Sequence, residues 1–348
     1  MKLLVITQKV DRDDAVLGFF HRWLEEFAKH CEKITVICLG QGEYQLPANV
    51  RVLSLGKEKS HSKLKYVFNF YKYLWQERKN YNTVFVHMNP IYIVLAGWYW
   101  RLTGRRIGLW YTHRQVDLKL RVAEKFTNLV FSAAAESFKL SSHKLRVVGH
   151  GIDTEAFACS PRRDFDPKNI TIFHVGRVSK IKNCDVLIET ARLLRDKNKI
   201  GFKLVFIGDP MTVEDCLYKS KLLDQIIEAK LEGLIEFRGS VANREMPAQY
   251  CQADLTVNLT PTGGIDKSVL ESMAAGVPVF TSNQAFRNYF GEYTDRLVFL
   301  ERGADDLAQK IMTLILSDDQ KIGDNLHRLV VEKSDIRGLI KRIIGYLS

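Results

Sequence analysis

The sequence predicts an α/β protein with two domains, each built on a parallel β-sheet that helices cover on both faces. Its 348 residues are too many for one ordinary domain and suit two domains of about 150 to 170 residues. Short apolar runs rich in β-branched residues alternate with longer amphipathic segments along the chain, which is typical of such sheets. The composition, 46% hydrophobic and 26% charged, is that of a folded protein.

The first half of the chain predicts a series of strands with helices between them. The predicted strands are Leu3–Ile6, Ile34–Cys38, Val50–Leu55, Thr83–Val86, Ile107–Tyr111, Leu129–Phe131 and Leu145–Val148. The predicted helices lie at about 16–30, 62–79, 91–103 and 117–126. We therefore expect a Rossmann-like domain over residues 1–157.

The same alternation restarts after Gly149–Asp153 and a polar loop that runs from Ser160 to Lys168. The predicted strands are Ile170–Val175, Lys203–Ile207, Ile235–Phe237, Leu255–Asn258 and Val277–Phe280. The predicted helices lie near 184–198, 214–230, 245–252 and 268–275. This predicts a second Rossmann-like domain over 158–332, followed by a C-terminal helix at 333–348 that is a candidate for packing back on the N-terminal domain.

The net charge of +11 is concentrated in the first half. Residues 1–157 hold 24 Lys and Arg against 14 Asp and Glu, whereas the remainder holds 27 against 26. This asymmetry indicates an anionic partner for the first half: nucleic acid, lipid headgroups or a phosphorylated substrate.

The cysteines and the apolar runs indicate the cellular compartment in which the protein is expected. The six cysteines are scattered, with no Cys-x-x-Cys motif and no zinc spacing, which favours a reducing cytosol. The opening run MKLLVIT is too short for a signal peptide, and the run Ile91–Trp100 is half the length of a spanning helix. We expect a cytoplasmic protein, either soluble or peripheral on the inner face of the membrane.

Two loops of the second half carry the residues that point to a ligand, since ligands of such sheets bind beyond the carboxyl ends of the strands. The segment Gly176–Asn183 has one glycine and three cations at a strand-to-helix turn. The guanidinium group of Arg177 can bond two diphosphate oxygens while a lysine of the turn neutralises charge. The alternative is a solvated basic turn.

The second loop opens the stretch Thr262–Phe280, where Gly263 and Gly264 allow a ligand to approach the backbone closely. A helix that starts near Lys267 directs its positive end to the same place, and Glu271 lies one turn inside. The alternative for Glu271 is a capping box, Ser268-x-x-Glu271.

Taken together, these stretches resemble the donor domain of the GT-B glycosyltransferases, specifically glycosyltransferase family 4. The resemblance covers residues 145–282 well and the first half loosely. It implies two Rossmann-like domains whose parallel sheets face each other across a cleft. The segments that carry it are Gly176–Lys182, Phe237–Val241, Ala253–Val257, Leu270–Val279 and the interdomain turn Gly151–Asp153 with Phe157.

The resemblance also implies roles for single residues. Arg177 and Lys182 fall where the family grips the donor diphosphate, and His113 matches a histidine that faces the reacting sugar; these three are the predicted catalytic residues. Glu271 matches the family position that binds the ribose hydroxyls, and the loop 239–241 matches the segment whose main-chain groups contact the base. The full predicted donor set is Gly18, Gly239, Ser240, Val241, Gly264, Ile265, Asp266, Lys267, Ser268 and Glu271. The predicted acceptor residues are Asp11, Tyr111 and Arg114.

The sequence departs from the family at Gly263, where the family usually has a sugar-binding Glu eight residues before the ribose Glu. We expect Asp266 to take over sugar recognition and Lys267 to add to phosphate binding. The alternative is that Asp266 only caps the helix. The segment Asp11-Arg12-Asp13 formally matches a metal motif of another fold, but it follows the first strand, so we predict no metal and no cofactor.

The segment 57–79 combines seven cations with six aromatic residues, a composition suited to an anionic membrane surface. Arg101, Arg105 and Arg106, near Trp98 and Trp100, add to this pattern. The alternative is an ordinary helix whose aromatic residues pack on the sheet and whose lysines are solvated.

The sequence therefore predicts a retaining, metal-independent glycosyltransferase. It would move a sugar from a nucleotide sugar, UDP- or GDP-linked, to a hydroxyl of a lipid-linked or cell-surface glycan precursor. The main alternative is a nucleotide-sugar-binding protein without transferase activity, because Gly263 removes a carboxylate. Nucleic-acid binding rests on the charge alone and is not expected.

Overall fold

A computed structural model describes residues 1–160, 165–198, 200–317 and 321–348. It divides into two compact units. Unit 1 comprises Met1–Gly151, Ala242–Arg244 and Ile336–Ser348, and unit 2 comprises Ile152–Val241 and Glu245–Asp335. Each unit has a parallel sheet with helices packed on it, so the predicted fold class is confirmed. Part of the predicted loop between Ser160 and Lys168 lies outside the described residues.

The strands and helices alternate as the sequence predicted. The strands are β1 Lys2–Val10, β2 Lys33–Gln41, β3 Val50–Ser54, β4 Thr83–His87, β5 Arg106–Trp110, β6 Leu129–Ser132, β7 Leu145–Val147, β8 Asn169–Val175, β9 Gly201–Ile207, β10 Ile235–Gly239, β11 Leu255–Asn258 and β12 Val279–Thr281. The helices are α1 Phe19–His30, α2 Lys63–Glu77, α3 Pro90–Leu102, α4 Leu118–Phe126, α5 Thr154–Phe157, α6 Cys184–Asn198, α7 Val213–Glu228, α8 Met246–Tyr250, α9 Lys267–Ala274, α10 Arg287–Phe290, α11 Thr294–Leu297, α12 Ala304–Leu316, α13 Ile322–Ser334 and α14 Ile336–Leu347.

Unit 1 is built on a seven-stranded sheet with the order β3-β2-β1-β4-β5-β6-β7, whose neighbouring strands pair in parallel. One face carries α1 and α14, which contribute the buried Trp23 and Leu339. The other face carries α2, α3 and α4, which contribute Phe70, Trp100 and Leu120. The C-terminal helix α14 thus completes the core of unit 1, because its apolar stripe covers a sheet face that α1 alone leaves open.

Unit 2 is built on a five-stranded parallel sheet with the order β10-β9-β8-β11-β12. Its boundary lies six residues before the predicted one, at Gly151/Ile152. The reason is local: Ile152 N donates to Ser334 O at 2.8 Å, and Thr154 Oγ1 lies 2.5 Å from Asp335 Oδ2. These bonds attach the turn and α5 to the end of α13. The second boundary accordingly falls at Asp335/Ile336 and not at 332.

A disulfide bond joins Cys159 to Cys251 within unit 2. The pair lies 92 residues apart in sequence, so no spacing motif predicted it. The bond runs against the reducing compartment that the scattered cysteines favoured. Packing of α5 against α8 brings the two cysteines together. The other thiols are Cys31, Cys38 and Cys184, which are buried, and Cys216, which is exposed.

Across the described ranges, none of the helices combines the length and the apolar character needed to cross a bilayer.

Candidate active site

The residues predicted to bind a donor lie at the carboxyl edge of the sheet of unit 2. In that sheet β8 lies between β9 and β11, so the loops that follow these strands are neighbours. The loop after β8 runs over residues 176–183, and the loop after β11 runs over 259–266 to the start of α9. This edge of a doubly wound sheet is where ligands bind.

The turn after β8 depends on two glycines. Gly176 has φ +153° and Gly208, after β9, has φ +135°. A Cβ on Gly208 would lie 2.2 Å from the carbonyl oxygen of Gly176, so the two turns can approach this closely only with glycine at position 208. Arg177 projects from this turn with 43% of its side chain exposed, and its Nε lies 3.9 Å from Asp215 Oδ2. Its guanidinium group is therefore accessible to an anion.

Lys182 links the two loops. It ends a 3₁₀ turn at Lys180–Lys182, and its Nζ donates to Thr260 Oγ1 at 2.7 Å and to Asp266 Oδ2 at 3.1 Å. The next residue, Asn183, has φ +46° and donates from Nδ2 to the carbonyl oxygen of Leu259 at 3.1 Å. The structure thus brings together two predicted site residues, Lys182 and Asp266, that are 84 positions apart.

Asp266 occupies the N-cap position of α9, but its side chain makes no capping hydrogen bond. Its Oδ2 accepts instead from Lys182 and from Asn258 Nδ2, the latter at 2.9 Å. Burial acts to raise the pKa of Asp266, but the charge of Lys182 and hydrogen bonds from Thr260 and Asn258 outweigh it, so the pKa lies below its usual value. Asp266 is therefore ionised at neutral pH and does more than occupy a cap position.

Glu271 does not take part in the capping box that the sequence offered as its alternative role, so that interpretation is wrong. Helix α9 begins at Lys267, which places Ser268 at the second helical position and not at the cap. Ser268 Oγ accepts from Asn258 Nδ2 at 3.3 Å, and Glu271 Oε2 accepts from the hydroxyl of Tyr250 at 3.0 Å. The carboxylate of Glu271 is thus held by a residue of α8.

Lys267 and Glu271 are four residues apart on α9, the spacing at which two helical side chains meet. Burial lowers the pKa of Lys267 to about 7, against the opposing effect of the Glu271 charge. Burial raises the pKa of Glu271, against the hydrogen bond from Tyr250 and the charge of Lys267. An anion bound beside Lys267 would favour the charged form of this lysine, so the lysine would take up a proton when the anion binds.

The loop that contains Gly263 and Gly264 is fixed by Asn283, which is fully buried after β12. Asn283 Nδ2 donates to the carbonyl oxygen of Gly264 at 2.8 Å, and Gly263 N donates to Asn283 Oδ1 at 3.4 Å. The neighbouring Ile265 is buried and anchors the end of the loop. Sequence reasoning missed Asn258 and Asn283; the available signal was an amide residue at the end of a buried apolar strand.

The predicted base-binding loop, Gly239–Val241, follows β10. Gly239 has φ +80°, and Ser240 N donates to Asp209 Oδ2 at 2.8 Å. Hydrogen bonds from Ser240 hold the pKa of Asp209 below its usual value. Asp209, which follows β9, was not predicted, although it stands directly after Gly208 at the end of a buried strand.

The remaining predicted residues belong to unit 1. Asp11 follows β1 and pairs with Lys9 Nζ at 2.8 Å. Gly18 precedes α1, where a Cβ would lie 2.4 Å from the carbonyl oxygen of Asp14. Tyr111 follows β5, and its hydroxyl donates to the carbonyl oxygen of Gln115 at 3.0 Å.

The ring of Tyr111 meets His113 edge to face, with 5.9 Å between the ring centroids. Burial raises the pKa of Tyr111. Arg114 is exposed next to His113. Among the residues that the structure describes, no group of three His, Cys, Asp or Glu side chains is placed to hold a metal ion.

Residues 169–317, most of unit 2, match the family described as Glycosyl transferases group 1. A D-inositol 3-phosphate glycosyltransferase of Pseudarthrobacter chlorophenolicus is 24% identical over 172 residues, which are 46% of this chain and 40% of that protein. An alpha-monoglucosyldiacylglycerol synthase of Streptococcus pneumoniae is 25% identical over 168 residues, 47% of this chain and 36% of that protein. The matches span less than half the length of these two relatives.

The whole chain is similar in structure to HepE of Anabaena, which was solved in complex with UDP and glucose. The TM-score is 0.77 and the sequence identity 18%, with 100% of this chain and 99% of that chain covered. Such a likeness establishes the fold. The chain therefore has the GT-B fold, and its residues 169–317 are similar to the group 1 glycosyltransferase family.

Proposed function

We propose that the protein transfers a sugar from a nucleoside diphosphate sugar to a hydroxyl acceptor. One observation carries the proposal: Lys182 is bound by Thr260 and Asp266 where two adjacent loops meet, beside the N-terminus of α9. Cations and a helix N-terminus at the carboxyl edge of a parallel sheet suit a diphosphate. The family match of this unit and the UDP bound by HepE support the same donor class.

In this proposal Arg177 and Lys182 bind the diphosphate, Glu271 accepts hydrogen bonds from the ribose, and residues 239–241 meet the base. We place the donor sugar next to Asp266. UDP is the first nucleotide to test and GDP the second.

The reaction forms a bond between the acceptor oxygen and the anomeric carbon and breaks the bond from that carbon to the diphosphate oxygen. Arg177, Lys182 and the N-terminus of α9 stabilise the charge on the departing diphosphate, which takes up the acceptor proton. No enzymic nucleophile and no metal are needed, and we propose that the anomeric configuration is retained. His113 of unit 1 would orient the reacting sugar.

We propose that unit 1 binds the acceptor, a lipid-linked or cell-surface glycan precursor, through Asp11, Tyr111 and Arg114. The excess of positive charge in this unit suits a phosphorylated carrier. One relative, by its name, makes a glucosylated diacylglycerol, which is a lipid product. We place the protein at the cytoplasmic face of a membrane.

The surface of α2 supports a membrane location. Phe70 and Leu74 pack into the core, as the alternative of an ordinary helix requires, but a second apolar stripe of α2 faces solvent. Its members recur at positions i, i+4, i+7 and i+11: Leu64, Phe68, Tyr71 and Trp75. Phe68 and Trp75 are 69% and 66% exposed. The adjacent α3 adds exposed Trp98 and Leu102, and cations flank both helices.

The membrane location predicts that Leu64→Glu with Phe68→Glu weakens binding to phosphatidylglycerol vesicles by more than tenfold. Each change removes a large apolar side chain, worth about 1.5 to 3 kcal/mol when buried, and adds repulsion from the anionic surface. Vesicle co-sedimentation measures the effect. The control is Leu217→Glu on α7 of unit 2, where Leu217 is 62% exposed. Equal sedimentation of both variants and the wild type would exclude this surface.

The donor site predicts that UDP raises the melting temperature of the wild type and not that of Arg177→Ala. A ligand that binds only the folded state stabilises it by mass action, and Arg177 would supply two of its hydrogen bonds. The measurement is a thermal-shift screen against UDP, GDP, ADP and their sugar conjugates. The control is Arg192→Ala on α6, whose side chain is 40% exposed, close to the 43% of Arg177. Wild-type affinity in Arg177→Ala would overturn the donor-site assignment.

A further inference from the structure

Tyr250 is a buried residue that has no role in the proposed reaction. It nevertheless contacts Glu271, the residue proposed to bind the ribose of the donor. It ends α8 and is fully buried. Its hydroxyl lies 3.0 Å from Glu271 Oε2 and 3.2 Å from the carbonyl oxygen of Ser268. A hydroxyl has one proton to donate, and the shorter distance to an ionisable carboxylate makes Glu271 the stronger acceptor.

The ring of Tyr250 is held in place from two sides. Phe157 of α5 meets it edge to face, with 5.7 Å between the ring centroids. The next residue, Cys251, is joined to Cys159 by the disulfide bond. The ring is therefore held against α5 by packing and by the disulfide bond. Because α5 and α8 both pack on α9, the position of the phenol oxygen does not depend on the rotamer of Tyr250 alone.

We propose that Tyr250 is the positioning residue that orients the carboxylate of Glu271 toward the ribose of the donor. The inference rests on the proposed function, in which Glu271 accepts from the ribose hydroxyls. Tyr250 donates to one carboxylate oxygen, Oε2, which restrains the rotation of the group and leaves Oε1 for the ligand. A fixed carboxylate can accept from a vicinal diol without a loss of side-chain entropy on binding.

The hydrogen bond also favours the ionised form of Glu271. Burial raises the pKa of this carboxyl, and the bond from Tyr250 opposes that shift. Burial and the Glu271 charge together raise the pKa of Tyr250 well above its usual value, so the hydroxyl stays a donor. Because a carboxylate accepts from a ribose hydroxyl better than a carboxylic acid does, Tyr250 supports Glu271 in geometry and in charge.

The test is the preference for UDP over 2′-deoxy-UDP, measured by calorimetry on the wild type, Tyr250→Phe and Glu271→Gln. Tyr250→Phe keeps the ring against Phe157 and removes only the hydroxyl. We expect it to weaken UDP binding about tenfold and 2′-deoxy-UDP binding less, because that ligand keeps only one of the two hydroxyls, so the preference falls toward that of Glu271→Gln. The double variant should lose little more than either single variant, since the two residues act as a unit.

A matched control is available in the same unit. The hydroxyl of Tyr218 donates to Asp185 Oδ1 at 2.6 Å, so Tyr218→Phe deletes another tyrosine-to-carboxylate bond. That variant should keep the wild-type preference for UDP. The preference compares two ligands on the same folded molecules, so a partly unfolded Tyr250→Phe preparation still yields a valid ratio.

The outcomes separate the two hypotheses. If Glu271→Gln loses the preference and Tyr250→Phe retains it, the positioning role of Tyr250 is overturned while the donor site stands. If the wild type shows no preference, or Glu271→Gln retains it, the ribose role of Glu271 fails and the role of Tyr250 fails with it. Loss of preference in both variants, and not in Tyr218→Phe, supports the inference.

Discussion

Replacing Lys182 with methionine is expected to lower kcat by about 100- to 1,000-fold, the usual cost of removing one charge-stabilising group. Lys182 Nζ lies between Thr260 and Asp266, where the loops after β8 and β11 meet. In the proposed reaction it faces the diphosphate on which negative charge develops. Methionine is unbranched like lysine and fills similar space, so the charge is the main property lost. UDP release by hydrolysis of the donor sugar nucleotide, with water in place of the acceptor, measures the rate.

Lys180→Met provides the matched control, because Lys180 lies on the same 3₁₀ turn and is exposed. It should keep a rate within about threefold of the wild type, as surface substitutions usually do. A Lys182→Met enzyme that releases UDP at the wild-type rate would show that Lys182 has a structural role only. Thermal melting of both variants separates that case from unfolding.

The fold and the two principal loops were predictable because their signals are periodic or local. Alternating apolar runs marked the twelve strands, and the rule that ligands bind at carboxyl ends pointed to the turns at Gly176 and Gly263. The family-like spacing of these turns then placed Arg177, Lys182 and Glu271 at one edge of the sheet.

The supporting residues were missed, because a single polar side chain at a strand end is a weak signal with no spacing pattern to identify its partner. Asn258, Asn283 and Asp209 each end or follow a buried strand. The partners of Asn283 and Asp209 lie on other loops, and Asn258 contacts Asp266 at the far end of the loop that follows its own strand. In the sequence Tyr250 resembles any aromatic core residue. Its hydrogen bond to Glu271 becomes evident only from the packing of α8 against α9. Packing between separate elements decides the contacts of Asn283, Asp209 and Tyr250.

One alternative interpretation was wrong and one stretch of the chain was left unassigned, for different reasons. A capping box at Ser268 requires Ser268 to be the N-cap residue of the helix. In the structure Asp266 is the N-cap residue and α9 begins at Lys267. The stretch between β12 and residue 333 yielded no predicted element, although it holds α10 to α13. Helices α10 and α11 have four residues each, too few for an amphipathic period to be recognised. Helices α12 and α13 have 13 residues each and bury one apolar face, so their pattern was available in the sequence and was missed.

Asp266→Asn is expected to change the binding of UDP and of the UDP-sugar in opposite directions. The carboxylate of Asp266 accepts from Lys182 at 3.1 Å, so in the empty site it competes with a diphosphate for that cation. Asparagine keeps the N-cap preference of the position and removes the negative charge. Lys182 then loses its ionic partner, and UDP should bind about tenfold or more tightly.

For the sugar nucleotide, Asp266→Asn is expected to have the opposite effect. In the proposed site Asp266 replaces the acidic residue that Gly263 lacks, so its carboxylate accepts from hydroxyls of the donor sugar. An amide accepts more weakly than a carboxylate, and the kcat/KM for the sugar nucleotide should fall about 10- to 100-fold. Calorimetry with UDP and steady-state donor hydrolysis measure the two effects on the same preparation.

Opposite effects on UDP and on the sugar nucleotide would distinguish two roles of Asp266, restraint of Lys182 and contact with the sugar. A loss of activity alone would not distinguish them. If Asp266 only positions Lys182, both ligands weaken together, because the loosened lysine serves the diphosphate of each. If Asp266 only caps α9, neither ligand responds, and the variant behaves like Asp153→Asn, a cap substitution at α5 of the same unit. Tighter UDP with slower donor turnover arises only when the carboxylate both restrains Lys182 and contacts the sugar.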